Sequence, residues 1–169
     1  MSSSSVLSDS SSSAESPDEM LEKMYNKYKK TKNELPKVVL WNCQLTELPA
    51  MLQESHPSQF YRRVTKLHLP NNPMLFSPTT TTTVGTTFQL AHFRHSLTEL
   101  NLSNNQLTEI PIGIADLCEL KSLTLAHNSI SQLPPWFFDS SICRFQRSLT
   151  NLSLESNQLR SIPTEISQF

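Results

Sequence analysis

His92 and His95 stand at i and i+3 and form the one close imidazole pair in this chain of 169 residues. That spacing sets two nitrogen ligands on one side of a helical turn. A zinc site needs three or four converging ligands, and neither a cysteine nor an acidic cluster accompanies the pair. The remaining soft ligands and nucleophiles are Cys43, Cys118 and Cys143. They form no C-x-x-C pair, their odd number builds no disulfide framework, and no histidine lies near Cys118 or Cys143 in sequence. There is no G-x-S-x-G elbow and no P-loop, and Gly85 and Gly113, the only two glycines, make no phosphate cradle. The expectation is therefore no catalytic residue, no metal and no cofactor, with reduced thiols suited to a cytoplasmic address.

A different chemistry, that of the buried amide, is carried by Asn72, Asn105, Asn128 and Asn157. Each follows a run in which apolar residues alternate with polar ones, the pattern of a strand with one buried face. Where the chain turns out of such a strand, backbone N–H and C=O groups are buried without ladder partners. An inward-pointing amide can both donate and accept there. The four asparagines are expected to form a structural ladder, with Cys43 in the same place at its end as a weaker donor.

Around each ladder residue the frame is L-x-x-L-x-L-x-x-N-x-L-x-x-I-P. It is complete at Leu97, Leu100, Leu102, Asn105, Leu107, Ile110 and Pro111, and it returns at Leu120 to Pro134 and Leu149 to Pro163. Looser copies begin at Leu35, with cysteine for asparagine, and at Val64, without the trailing proline. The distance from ladder residue to ladder residue is 29, 33, 23 and 29 residues, so the extra length must leave through the return segment after each strand. Most of the longest excess falls in a Thr-rich insertion near 77–96, expected to be flexible. Trp136, Phe137 and Phe138 read as core and return-side packing.

Ahead of the repeats, ten of the first sixteen residues are serine, too little apolar surface to offset the entropy of ordering them, so 1–16 should be a disordered tail. Ser16-Pro17-Asp18-Glu19 is a capping box with proline at the first helical position. It opens an apolar stripe of Leu21, Met24, Tyr25 and Tyr28, and a capping helix over 17–34 is expected to cover the first repeat. The Ser-rich tail ending in Ser16-Pro17 reads as a spacer, with phosphorylation the alternative.

The five in-frame copies from Leu35 to Phe169 resemble leucine-rich repeat proteins, and the LPxxI/L returns are similar to the intracellular Ras-scaffold-like class. The resemblance implies an α/β fold, a right-handed β-α superhelix or horseshoe solenoid of about five repeats with a parallel concave sheet. It also implies that protein partners bind on that concave face without a cofactor. Strand alternation places Lys37, Val39 and Trp41 there, then Lys66, His68 and Pro70, then Glu99, Asn101 and Ser103. Ser122, Thr124 and Ala126 follow, and last Asn151, Ser153 and Glu155. Trp41 is the preferred anchor, being large and amphipathic, with burial beneath the capping helix as the even alternative. Lys66 and Glu99 are expected to form a cross-strand pair.

Fourteen basic against fifteen acidic residues supply no overall field for nucleic acid, and no apolar run reaches the length of a membrane span. The partner is thus expected to be a protein of unknown identity, with the chain acting as a signalling adaptor or scaffold. Two alternatives stay open. One is the recognition part of a larger enzyme such as a kinase, GTPase or ligase. The other is a protomer that self-associates through an open C-terminal edge at Phe169. Five strands about 4.8 Å apart offer only several hundred Å², below the roughly 800 Å² per partner of a standard interface, so binding by this face alone should be weak.

Overall fold

The computed structural model describes residues 15–31, 37–76, 90–161 and 163–165. Residues 1–14, Leu35, the run from Thr79 to Thr83, Ile162 and Phe169, all of which figure in the sequence reading, lie outside these. Each x-L-x section forms a three-residue strand: β1 (Lys37–Val39), β2 (Lys66–His68), β3 (Glu99–Asn101), β4 (Ser122–Thr124) and β5 (Asn151–Ser153). The strands make one parallel sheet in chain order. Val38, Leu67, Leu100, Leu123 and Leu152 stand side by side across it.

A period-two side-chain alternation with one apolar phase leaves a single register that buries the leucines. The first four members of that row are fully buried, as are Leu40, Leu69, Leu102 and Leu125 two residues on, while Leu149, Leu152, Leu154 and Leu159 of the last repeat are only partly covered. The returns are 3-10 turns rather than α-helices. Ala50–Leu52, Ile112–Ile114 and Pro135–Phe138 each follow a proline, and Phe60–Arg63, Ala91–Phe93 and Arg144–Arg147 lead into the next strand. The prolines fix the φ at which these turns begin, and each run stays within the three or four residues usual for a 3-10 helix. Phe60, Phe93, Phe137 and Phe145 are fully buried on this side, with Phe137 edge-on to Phe145 at 5.5 Å.

The Thr-rich insertion does not run to residue 96 as expected. Residues 90–96 are ordered on the core, with Leu90 and Phe93 fully buried, because two apolar side chains three apart anchor the Ala91–Phe93 turn. Their polar neighbours hid that anchor in a stretch read as loop.

The helix α1 (Pro17–Thr31) starts at the capping box: the Glu19 N–H donates to Ser16 Oγ at 3.3 Å, and the Ser16 N–H donates to a Glu19 carboxylate oxygen at 3.0 Å. Leu21 is fully buried, Tyr25 meets Phe60 edge-on at 5.4 Å, and Asp18 accepts from the Met51 N–H at 3.3 Å. Helix and first return therefore share one core.

The ladder runs through the described repeats. Asn128 accepts the N–H groups of Asn105 (2.9 Å) and Leu107 (3.0 Å), and its amide donates to the carbonyls of Leu102 and Leu125 at 3.0 and 2.9 Å. Asn105 repeats the pattern toward Asn72 and Leu69, Asn72 does so toward Cys43, Leu45 and Leu40, and Asn157 does so toward Ile130 and Leu125. Cys43 ends it, its thiol donating to the Trp41 carbonyl at 3.4 Å. The residue before each ladder position, Asn42, Asn71, Asn104, His127 and Ser156, has φ between 53 and 59°. None of the five is glycine, so each turn stores about 1 kcal/mol of backbone strain that the amide bonds must offset.

Asn128→Ala leaves several buried backbone groups without partners, at about 1–3 kcal/mol each. The expected loss is about 3 kcal/mol or more in urea unfolding. Asn157→Ala, at a half-buried position, should lose roughly a third as much; equal losses would contradict the ladder as the main tie between repeats.

Candidate interaction face

Side chains at the odd strand positions leave the core and line the open face of the sheet. Lys37, Lys66, Glu99, Ser122 and Asn151 form one row across it, and Val39, His68, Asn101, Thr124 and Ser153 form the next. Trp41 follows Val39 by two residues and is 43% exposed, so α1 does not cover it.

Val39 corrects the sequence reading. It is only 9% exposed and yet lies outside the core cluster. It stands opposite His68 on β2, two residues after Lys37 and two before Trp41. Ala126, two residues after Thr124, is also buried, at 7% exposure.

Glu99 is the centre of the polar network. One carboxylate oxygen takes Lys66 Nζ at 2.9 Å and the other His68 Nε2 at 2.6 Å. Lys66 is directly opposite on the neighbouring strand, as the sequence reading expected, while His68 reaches Glu99 diagonally. That diagonal contact is invisible to a row-by-row reading.

Burial, followed by the charge of Lys37, lowers the His68 pKa below its ordinary 6.5 despite the hydrogen bond to Glu99. His68 is therefore neutral at pH 7 and donates its Nε2–H to the carboxylate. Glu99 is pushed up by partial burial, its largest single influence, but hydrogen bonds from Lys66 and His68 together outweigh this and hold it below the usual carboxylate range. Screening keeps the half-exposed Lys66 pair to a small contribution, about 0–1 kcal/mol. Its use is positional: it fixes three side chains in one arrangement.

Toward β5 the face becomes small and polar. Asn101 Oδ1 accepts from both the N–H and the hydroxyl of Ser103, at 2.9 and 2.7 Å. Thr124 and Ser153 are half-buried, and Asn151 and Glu155 are exposed. The face thus changes along the sheet, from charged and aromatic side chains at Lys37, Trp41, Lys66, His68 and Glu99 to hydroxyls and amides at Asn101, Ser103, Thr124, Asn151 and Ser153, with Glu155 the one acid at that end.

The chemical candidates resolve as packing. His92 Nε2 meets the Leu52 carbonyl at 2.7 Å and its ring stands edge-on to Tyr61, while His95 is exposed. Cys143 is buried in the core, which pushes its thiol up to about 12 and leaves it protonated at neutral pH. Among the described residues, no helix is long and apolar enough to cross a membrane.

The network gives a signed prediction. Lys37→Met removes a repelling charge and should raise the His68 pKa, whereas Glu99→Gln removes the attraction and should lower it further. Both are read from the imidazole proton shifts in an NMR titration. Because the folded pKa lies below 6.5, the contribution of His68 to stability is complete above that pH and is lost as pH falls from 6.5 through the folded value. A His68→Gln variant should lose less stability than the parent over that window; an unchanged slope would contradict the assignment.

Comparison with known proteins agrees with this geometry. Residues 95–137 match the family model described as leucine rich repeats in two copies, and residues 148–169 match the model for a single leucine rich repeat. A probable serine/threonine-protein kinase of Dictyostelium discoideum, pats1, is 40% identical over 75 residues, 43% of this chain and 2% of its own length. A second probable serine/threonine-protein kinase of that organism is 37% identical over 71 residues, 42% of this chain and 5% of its own. The solved structure of a leucine-rich repeat protein of Leptospira interrogans superposes with a TM-score of 0.54 at 26% identity, covering 85% of this chain and 37% of that one. The chain thus spans a small part of the length of the relatives it matches. The matched spans take in the third to fifth repeats, and the first two carry the same strand register and asparagine geometry; the chain is a leucine-rich repeat protein.

Proposed function

We propose that this chain is a protein-interaction module that serves as an intracellular adaptor or scaffold and binds a protein partner on the concave face of its sheet. The observation that carries the reading is the half-exposed Trp41 beside the fixed Lys66, Glu99 and His68 network. A large amphipathic ring next to side chains already held in place loses little entropy on binding and resembles the anchor of an interface. Lys37, Asn101, Ser103, Thr124, Ser153 and Glu155 would then supply the polar surround, with the largely buried Val39 adding little contact. Leucine-rich repeat domains in general mediate contacts between proteins, which supports the class of function.

The edge beyond β5 gives a second reading. Leu149, Leu152, Leu154 and Leu159 are only partly buried, whereas Leu120, Leu123, Leu125 and Ile130 of the preceding repeat are fully buried. Self-association through this edge would cover them. The alternative of a recognition segment within a larger enzyme rests on the kinase names of the two Dictyostelium proteins, of which this chain spans only small parts.

A pull-down from matched lysate with the parent chain and with Trp41→Ala/Lys66→Glu separates these readings. The double variant should keep its circular dichroism spectrum and lose the specifically captured protein by roughly tenfold or more. Recovery of the same protein by both chains would contradict the concave-face assignment. Recovery of copies of the chain itself would favour the edge.

A further inference from the structure

Near-zero net charge conceals a local excess. Six of the 14 basic residues, Lys29, Lys30, Lys37, Arg62, Arg63 and Lys66, come from the last turn of α1, the 3-10 turn Phe60–Arg63 and the starts of β1 and β2. Two contacts join helix to turn at this corner: Arg63 Nη1 donates to the Tyr28 hydroxyl at 3.2 Å, and Tyr25, under Lys29, packs on Phe60. Lys66 follows Arg63 by three residues and faces Lys37 across the sheet.

The shoulder is built rather than merely basic. Arg63 lies over the Tyr28 ring at 5.8 Å, Arg62 over Tyr61 at 5.8 Å, and Lys29 over Tyr25 at 5.9 Å. These rings hold the cations without neutralising them. Among the described residues, Lys66 alone of the six has a carboxylate within ion-pair distance, and that is Glu99. Cations in the last turn of a helix complement its dipole, which accounts for Lys29 and Lys30. It does not account for Arg62 and Arg63, which belong to another element.

We propose that Lys29, Lys30, Arg62 and Arg63 form a docking shoulder for an acidic, Asp/Glu-rich polypeptide segment, distinct from the concave face and continued toward it by Lys37. Arg62 Nε donates to the Tyr61 hydroxyl at 3.3 Å and Arg63 Nη1 to that of Tyr28, which steadies both guanidinium groups and leaves their remaining N–H donors to face carboxylate oxygens. Two features disfavour other anionic partners. Tyr61 is buried, Tyr25 packs edge-on against Phe60, and each of Tyr25, Tyr28 and Tyr61 already has a cation over its ring, which leaves little aromatic face to stack single-stranded bases. Among the described residues the exposed large apolar side chains, Trp41, Met74, Ile112 and Ile142, all lie off the shoulder, which favours a polypeptide over a bilayer.

The test titrates the full chain against a fluorescein-labelled glutamate-rich peptide by anisotropy, beside phosphatidylserine vesicles and a single-stranded oligonucleotide. The peptide should bind most tightly, and its affinity should fall several-fold between about 50 and 300 mM salt. Arg62→Gln/Arg63→Gln should weaken it roughly fivefold, and Lys29→Gln/Lys30→Gln, on exposed side chains that hold no fold contact beyond a ring, should weaken it comparably. Arg144→Gln/Arg147→Gln, at the far end of the solenoid, and Trp41→Ala should leave it unchanged. No peptide binding, equal loss in the Arg144/Arg147 control, or preference for vesicles or oligonucleotide would each overturn the proposal. Because Trp41 serves the concave face and not the shoulder, the two assignments fail separately.

Discussion

The constraint on which the structure depends is the need to satisfy backbone groups where each strand turns into its return. Residues at φ near 55° make that turn, and the side chain of the next residue, asparagine in four repeats, bridges it to the repeat before. A carbonyl oxygen and an NH2 on one short, rigid arm can accept two N–H groups and donate to two carbonyls, which no aliphatic residue of that volume can do. Once these bonds form, neighbouring strands can pair only in parallel and only in the register observed. Everything laid on the sheet inherits that order.

Register in turn decides what the open face can be. Because Lys37, Lys66 and Glu99 occupy one row, a carboxylate is flanked by cations on one side, and because the chain advances by two residues per step, His68 comes within its diagonal reach. The result is one polarised corner on a sheet whose other end carries hydroxyls and amides. Repeats of similar core thus carry different chemistry, since the residues that specify the fold and those that meet solvent alternate along the same three-residue strand. The arginine shoulder beside this corner arises from the variable return segments, where length and composition are least constrained.

Much of this was legible in the sequence because it is periodic. The leucine rows, the ladder at Asn72, Asn105, Asn128 and Asn157, the capping box at Ser16 and Glu19, and the Lys66 and Glu99 pair all follow from spacing alone. What escaped depends on size and on contacts at an angle to the repeat. Val39 is buried although its strand phase places it on the open face. His68 finds Glu99 across a diagonal, and Leu90 and Phe93 anchor a turn within a polar stretch. His92 and Tyr61, 31 residues apart in sequence, meet as rings because two returns of unequal length converge.

The central claim is that a protein partner meets the concave face rather than the return side. Its most direct test places a photo-crosslinking amino acid at position 41 or, separately, at position 112, where Ile112 is about equally exposed on the return side. Illumination in lysate should give a discrete adduct with a second protein from position 41 and none from position 112. An adduct formed from position 112 alone would contradict the account.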